Sequence, residues 1–443
     1  MGDSAGTAPA ASQDLTSVLT SRGYSALLVV SALIGVPVAL VAFGFLALVT
    51  NLEDWVWSSV PDALGWDQPT AWYAVVVLVL AGLLVGLVVT YLPGRGGHLP
   101  AKGFAGGMPS SVELPGVFAA ALLSLVLGAV VGPEAPLVAL GGGLVLFVAS
   151  QTKLAEQPQG MKLLAVAGSA AAIATLFGNP LVAAVLMLEV VGLAGSQVLL
   201  VLLPCLVSAG IGSVVFIGLG NWTGIDVPSL TIPGLPTAPL EAGDIVWVLP
   251  VAALAAVGAQ AARRLGLRTA RSTAQHTVVT TALAGLVVGL CAAAYSLLTD
   301  RSPIEVLQSG EAALPGLLTS PETWSITTLL LLLAFKGVAY GISLGSFRGG
   351  PTFPALFLGA VIGVIVGPLP GLGVTAGVAI GMTAATTAVL RLPVTSIVLV
   401  VLLLGEAGFS QIPVVMLAAA VAMVMAVTLD GLGQKPTAEV APS

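Results

Sequence analysis

Charged side chains are scarce in this sequence. Lys and Arg together number 14, and Asp and Glu number 20, so that charged residues make up 8% of 443 residues. Soluble domains carry about 25%, and so few charges cannot cover the surface of a folded chain of this length in water. A soluble fold is therefore excluded, and the 57% of hydrophobic residues predict an all-α polytopic membrane protein.

Basic clusters, cysteine and histidine are scarce as well. A net charge of −6 and the lack of a basic, aromatic-rich segment argue against a nucleic-acid partner. Cys205 and Cys291 lie in apolar runs, which predicts helix packing and neither a disulfide framework nor a zinc site. His98 and His276 lie in polar connecting segments, so a haem or a multi-histidine metal site is excluded and no cofactor is expected. The polar first two dozen residues do not have the pattern of a cleavable signal peptide.

Apolar runs follow one another along nearly the whole chain. A straight membrane span needs about 20 apolar residues, but many of these runs are shorter and are interrupted by the 54 Gly and 29 Pro. Broken helices at membrane depth occur where they are buried in protein or line a polar pathway, so the pattern indicates transport. The runs are 26–50, 71–92, 114–131, 136–150, 161–176, 180–193, 197–218, 244–262, 277–298, 325–345, 354–370, 372–390, 393–408 and 412–428.

The charges of the linkers predict the orientation. Linkers 51–70 and 219–243 carry Asp and Glu without any Lys or Arg, whereas Lys and Arg occupy the linkers around 95–102, 153–162 and 263–271. The positive-inside rule places the basic linkers in the cytoplasm and the acidic ones outside. The N-terminus is then cytoplasmic in a multi-pass protein of the cell membrane.

The second half of the chain repeats the first. Residues 165–188 resemble 378–401, with Gly168 matching Gly381 and Pro180 matching Pro393, and Pro136–Gly141 resembles Pro354–Gly359. Coincidence between Ala/Val-rich segments is the alternative, but the Gly and Pro positions agree as well. The halves begin on opposite sides of the membrane, which predicts an inverted repeat with an ion site at the midplane. The chain divides into a cytoplasmic tail 1–24, a first repeat 25–218, an extracellular linker 219–243, a second, inverted repeat 244–428 and a C-terminal tail 429–443.

Three Gly/Pro segments stand at the starts of short apolar runs: 106–110, 132–136 and 349–354. Each is typical of a loop that opens a helix. A helix start has free N–H groups and a partial positive charge, which suits an anion. Starts that converge would form a site for a small anion without basic side chains; ordinary re-entrant turns are the alternative.

Two carboxylates lie within these apolar runs. Glu134, between Pro133 and Pro136, is costly at membrane depth, and such residues mark ion or proton pathways. We predict that it gates the pathway by occupying the anion site and leaving it on protonation; the alternative is a helix cap at an interface. Glu189 ends the run from Pro180, and is either a proton-relay carboxylate or a helix-end residue that reaches cytoplasmic water.

Residues 105–109, 132–136 and 349–354 resemble, in that order, the signatures G-S-G-I-P, G-[RK]-E-G-P and G-G-x-F-x-P of the CLC family of chloride channels and chloride/proton exchangers. The resemblance spans residues 30–430 in the family's order and spacing. It implies the CLC fold, a homodimer in the lipid bilayer with one pathway in each subunit, and chloride or a similar small anion as the transported ion. It places the gating glutamate at Glu134 and the anion-binding residues at Gly106, Gly107, Met108, Ala135, Thr352 and Phe353.

The anion ligands depart from the family pattern. Gly106 replaces the central serine, Pro133 and Pro351 remove two N–H donors, and no Tyr lies near 435–438. The hydroxyl of Thr352 is able to replace a lost donor. These departures predict weaker chloride binding, and the anion itself stays open because a fluoride-exporting branch of the family also lacks the central serine.

The coupling residue departs as well. Val190 occupies the position of the exchangers' inner proton-transfer glutamate, although Glu189 is adjacent. We therefore expect a channel or a weakly coupled conduit; a proton-coupled chloride or fluoride antiporter is the alternative. An intramembrane enzyme would need a nucleophile with a histidine, or a metal motif such as H-E-x-x-H, and neither is present. A passive structural protein would not require Glu134.

Overall fold

The computed structural model describes residues 10–104, 108–152, 158–192, 197–223, 232 and 235–433. These residues form helices, turns and one isolated β-bridge. The first half contains α1 (Ala10–Leu19), α2 (Arg22–Asp54), α3 (Val60–Ala63), α4 (Ala71–Tyr91), α5 (Leu114–Val126), α6 (Glu134–Ser150), α7 (Pro158–Phe177), α8 (Pro180–Val191) and α9 (Gln197–Thr223). The second half contains α10 (Ala242–Thr273), α11 (Thr277–Thr299), α12 (Leu314–Thr319), α13 (Ile326–Ser346), α14 (Thr352–Val366), α15 (Val374–Leu390), α16 (Pro393–Leu403), α17 (Glu406–Ser410) and α18 (Ile412–Gly433).

Each predicted apolar run forms a helix. Among the described residues, eight helices are long and apolar enough to cross a membrane, and six shorter apolar helices accompany them. The short ones are α5, α6, α8, α14, α15 and α16. The prediction of an all-α membrane protein with broken helices is confirmed.

The helices extend past the predicted repeat boundaries. α2 begins at Arg22 because the Ser21 hydroxyl caps it by accepting a hydrogen bond from the Tyr24 amide. α10 begins at Ala242, where the carboxylate of Asp244 accepts from the Glu241 amide at 2.8 Å. α9 and α18 also run past the predicted ends of the repeats at 218 and 428, to Thr223 and Gly433.

The repeat is visible in how the helices cross. α6 and α7 meet at Gly141 and Gly168, where a Cβ on Gly141 would lie 2.5 Å from the Gly168 carbonyl oxygen. α14 and α15 meet at Gly359 and Gly381, and a Cβ on either would collide with the carbonyl oxygen of the other. These are the glycines that the sequence matched to each other. Only glycine permits such close approach of two helix backbones, so both repeats are built around the same crossing.

The segments before α6 and α14 pair with each other. Gly132 and Gly350 form the isolated antiparallel bridge, with the Gly132 amide 2.7 Å from the Gly350 carbonyl oxygen and the Gly350 amide 2.5 Å from the Gly132 carbonyl oxygen. This bridge joins the two repeats and sets the starts of α6 and α14 side by side.

Candidate functional site

Glu134 is the first residue of α6, and it is fully buried. Its Oε1 accepts a hydrogen bond from the backbone N–H of Phe353 at 2.8 Å. Phe353 is the second residue of α14, so a carboxylate from the first repeat binds the helix start of the second. The predicted convergence of these two helix starts is observed.

The carboxylate of Glu134 lies directly on the bridge between the repeats. A Cβ on Gly132 would stand 2.5 Å from both carboxylate oxygens, and a Cβ on Gly350 would collide with Oε2. Any side chain at either position would therefore take space that the carboxylate occupies. The two glycines of these motifs are required by that contact.

The electrostatics of this position favour an anion. The free N–H groups at the start of α14 carry a partial positive charge, and the hydroxyl of the buried Thr352 lies close to the carboxylate. Within the described residues, Thr352 Oγ1 and Glu134 Oε2 have no hydrogen-bond partner. Unpartnered polar atoms in a buried site call for an explanation.

Two aromatic side chains fix the start of α14. The Phe353 ring packs against Phe177 with centroids 5.7 Å apart, and the fully buried Tyr340 donates its hydroxyl hydrogen to the Pro351 carbonyl oxygen at 2.7 Å. The sequence reasoning missed Tyr340. The available signal was a tyrosine within an apolar helix, since a buried phenol usually has a hydrogen-bond partner.

The remaining predicted anion ligands are placed as follows. Ala135 and Met108 line a cavity of about 300 Å³ beside the start of α6. Gly106 and Gly107 lie outside the described residues. The first motif does not open a helix directly, because α5 begins only at Leu114. Glu134, Ala135, Thr352 and Phe353 thus come together, with Met108 on the wall of the adjoining cavity.

Glu189 lies at the contact between α8 and α16. Its Oε1 accepts from the Val394 amide at 3.0 Å, and its Oε2 accepts from the Thr395 amide at 2.6 Å and the Thr395 hydroxyl at 2.5 Å. The carboxylate therefore caps the start of α16. A role as proton relay stays a prediction.

Two basic residues within or beside the apolar runs, Lys336 and Arg391, have structural partners. Lys336 is fully buried in α13, and its Nζ donates to carbonyl oxygens of Glu305, Val306 and Leu307 at 3.1, 3.2 and 2.8 Å. Arg391 pairs with Asp430 at 2.7 Å.

Over the part of the chain that the structure describes, no group of three or more His, Cys, Asp or Glu side chains is placed to hold a metal ion.

Known proteins resemble this chain in sequence across its membrane-spanning region. Residues 101–427 match the family described as voltage gated chloride channel. The chain is 27% identical over 336 residues to "Putative ion-transport protein YfeO" of Escherichia coli O139:H28 (strain E24377A / ETEC), covering 74% of this chain and 76% of the relative. The protein of the same name from Shigella boydii serotype 4 (strain Sb227) matches with the same figures.

Solved structures share the fold. A slow cyanobacterial Cl⁻/H⁺ antiporter superposes with a TM-score of 0.73 at 19% identity, covering 91% of this chain and 95% of its own. A CLC-type fluoride/proton antiporter superposes with a TM-score of 0.65 at 19% identity, and the match covers 92% of this chain and 97% of the antiporter. At these identities the likeness shows the architecture, including the inverted repeat of broken helices.

Proposed function

The chain belongs to the voltage-gated chloride channel (CLC) family, and we propose that it moves chloride, or a similar small anion, through a pathway gated by Glu134. It is an integral, multi-pass membrane protein that transports anions. The proposal concerns the gate, the preferred ion and the coupling to protons.

The main support for a gate is the hydrogen bond that the Phe353 amide donates to Glu134 Oε1. While Glu134 is ionised, the helix start that suits an anion is taken by a carboxylate of the protein itself. Protonation removes the charge that the α14 dipole attracts and weakens this hydrogen bond. The amides at Thr352 and Phe353 and the Thr352 hydroxyl are then available to a diffusing anion.

The surroundings of Glu189 support weak proton coupling. Tight exchange needs a second carboxylate that passes protons to Glu134 from the other side of the membrane. The oxygens of Glu189 are engaged by three donors at the start of α16, and the neighbouring Val190 cannot titrate. We therefore favour a channel or a weakly coupled conduit.

Proton-coupled antiport of chloride or fluoride is the second candidate. A carboxylate that leaves the site when it is protonated can itself carry a proton. Two of the proteins with the same architecture are described as Cl⁻/H⁺ and fluoride/proton antiporters, which favours this alternative at the level of fold.

The test is anion efflux from proteoliposomes, measured with and without an imposed proton gradient. Glu134→Gln imitates the neutral carboxyl, so we expect higher flux at neutral pH and a flatter dependence on pH. Glu189→Gln is the matched control, and it should lower stability while leaving the flux–pH curve unchanged. An unchanged curve in Glu134→Gln would remove the gate, and uphill proton movement at a fixed stoichiometry would establish antiport.

We also propose a homodimer with one pathway in each subunit, and a cytoplasmic location for the basic linkers. The family resemblance supports the dimer, and the positive-inside rule supports the orientation. Mass measurement of the detergent-solubilised protein tests the first. Labelling of a cysteine introduced at Arg268, on the exposed surface of α10, from either side of the membrane tests the second.

A further inference from the structure

Two further carboxylates near the gate have no positively charged partner. Glu311 lies in the loop 300–313 between α11 and α12, and Glu53 is the last residue but one of α2. Both are half-buried, and within the described residues neither forms a salt bridge. A carboxylate that loses part of its water without gaining a positive partner is costly, so their position calls for a role.

The loop that carries Glu311 packs against both helices at whose starts the gate lies. The Gln308 amide donates to the carbonyl oxygen of Gly128 at 3.1 Å, in the connector that leads into α6. A Cβ on Gly310 would stand 2.7 Å from the ring of Phe357, in α14. The residues on the N-terminal side of Glu311 are therefore fixed against the connector and against α14.

The end of α2 reaches the same connector. Trp57, one helical turn after Glu53, donates its Nε1–H to the Val126 carbonyl oxygen at 3.0 Å. A Cβ on Gly128 would stand 2.5 Å from the Trp57 ring. Glu53 is therefore held next to the connector on which the loop of Glu311 rests.

Electrostatic interactions join the three carboxylates in series. Glu311 interacts with Glu134, and Glu53 interacts with Glu311. Burial and the negative charge of Glu134 raise the pKa of Glu311 to about 8. Oε2 of the fully buried Glu134 has no hydrogen-bond partner within the described residues. The series thus runs from an unsatisfied carboxylate oxygen at the gate to the acidic linker 51–70, which the charge pattern places outside the cell.

The other charged groups around the loop do not neutralise the series. Arg301 forms a salt bridge with Glu305 at 2.8 Å, and Tyr295 donates its hydroxyl hydrogen to the same carboxylate. Lys336 donates to backbone carbonyl oxygens of the loop at 2.8–3.4 Å. Asp54 adds a further negative charge at the end of α2. Protons are therefore the cations that the series is placed to accept.

We infer that Glu311, together with Glu53, is an outer proton-binding pair that sets the proton concentration at which the gate at Glu134 opens. A negative charge beside a carboxylate favours its protonated form, and interacting carboxylates take up their protons as a group. The first proton that the series binds is thus shared with Glu134, at a higher pH than Glu134 alone would bind one. The inference rests on the proposed function, because it names what regulates the same gate.

The first test is the proton concentration that gives half-maximal anion flux in proteoliposomes, with each variant normalised to its own maximum. Glu311→Gln removes the neighbouring charge, so we expect this concentration to rise by about threefold to tenfold. Glu53→Gln should act in the same direction with a smaller effect, because it is one step further from the gate. The effect of Glu311→Gln should vanish in the Glu134→Gln background.

Glu322→Gln is the matched control, because it removes the same charge from an exposed position before α13, and it should change nothing. An unchanged half-activating proton concentration in Glu311→Gln overturns the inference, as does an equal shift in Glu322→Gln.

The second test does not depend on transport. Infrared titration of the purified protein should show a carboxyl C=O band with a midpoint near pH 8, which Glu311→Gln removes. In Glu134→Gln the midpoint of this band should fall, since the negative charge that favours the proton on Glu311 is gone. A midpoint that is the same with and without the Glu134 carboxylate overturns the inference.

The comparison between the wild type and Glu134→Gln decides the matter if Glu311→Gln fails to fold. A wild-type protein that moves no anion would refute the proposed function, whereas a lowered midpoint in Glu134→Gln would still support the proton-binding pair.

Discussion

A methyl group added at Gly350 should act directly on Glu134, the proposed gate. The Cβ of Gly350→Ala would collide with Glu134 Oε2 and would lie 2.6 Å from the carboxyl carbon. The backbone cannot move aside easily, because both the amide and the carbonyl of Gly350 are bonded to Gly132. The substitution must therefore either strain the site or displace the carboxylate.

Straining the site and displacing the carboxylate cost similar amounts of free energy. Overpacking of a well-packed interior costs about 1–3 kcal/mol, and loss of the hydrogen bond from the Phe353 amide to a charged acceptor costs about 1.5–3 kcal/mol. Displacement by the second route lowers the occupancy of the site by Glu134 about tenfold to a hundredfold, since each 1.4 kcal/mol is a factor of ten. We expect lower stability together with a flattened dependence of flux on pH.

The assay is a double-mutant cycle with Glu134→Ala. Thermal unfolding in detergent measures stability, and efflux from proteoliposomes measures the dependence on pH. In the Glu134→Ala background the carboxylate is absent, and of the three nearest atoms only the Cβ of residue 134 remains, 3.1 Å away. Gly350→Ala should therefore cost clearly less stability than it does with Glu134 in place. Gly337→Ala is the control for an added methyl, because no atom lies within 4 Å of a Cβ at that position of α13.

Equal effects of Gly350→Ala in both backgrounds would refute this reasoning. They would mean that the methyl group strains the bridge between the repeats, and that the carboxylate of Glu134 does not rest on Gly350.

Three other substitutions test the surroundings of the site. Thr352→Val keeps the shape and removes the unpartnered hydroxyl, so calorimetric titration should show weaker anion binding; unaltered affinity would mean that backbone amides alone hold the ion. Tyr340→Phe leaves the Pro351 carbonyl without its donor and should lower the free energy of unfolding by about 1–3 kcal/mol, and an unchanged thermal midpoint would contradict a positioning role. Lys336→Met leaves the carbonyls of the Glu305–Gln308 segment unsatisfied and should cost at least about 2 kcal/mol in the same assay, whereas a stabilised protein would show that burial of the charge outweighs its hydrogen bonds.

The helices and their repeat could be predicted from the sequence because both depend on local composition. An apolar run long enough to cross a bilayer forms a helix in nearly any context, since its backbone groups must be satisfied within the segment. The matched glycines at the two helix crossings could also be predicted, because two helix backbones that cross this closely require the smallest residue at both positions. The ends of the helices were less accurate, since caps such as Ser21 add polar residues that hydrophobicity does not register.

A residue of the site could be predicted only where its own neighbours in the sequence make it unusual. Glu134 is conspicuous as a carboxylate among apolar residues, but its donor, the amide of Phe353, lies 219 residues away in sequence. Tyr340 was missed because nothing beside it in the chain shows that its hydroxyl faces the Pro351 carbonyl oxygen. Glu189 could not be decided for the same reason, since its partners are at the start of α16.

The bridge between the repeats limits how the proposed gate at Glu134 would open. Separation of α6 from α14 would break two backbone hydrogen bonds between Gly132 and Gly350 and leave buried groups unpaired, at about 1–3 kcal/mol for each such group. Rotation of Glu134 about its own side-chain bonds gives up, among the described residues, the hydrogen bond from the Phe353 amide and the proximity to Thr352, and protonation weakens that hydrogen bond first. Side-chain rotation is therefore the less costly motion, and we expect both repeats to stay in place while the carboxylate leaves the anion site.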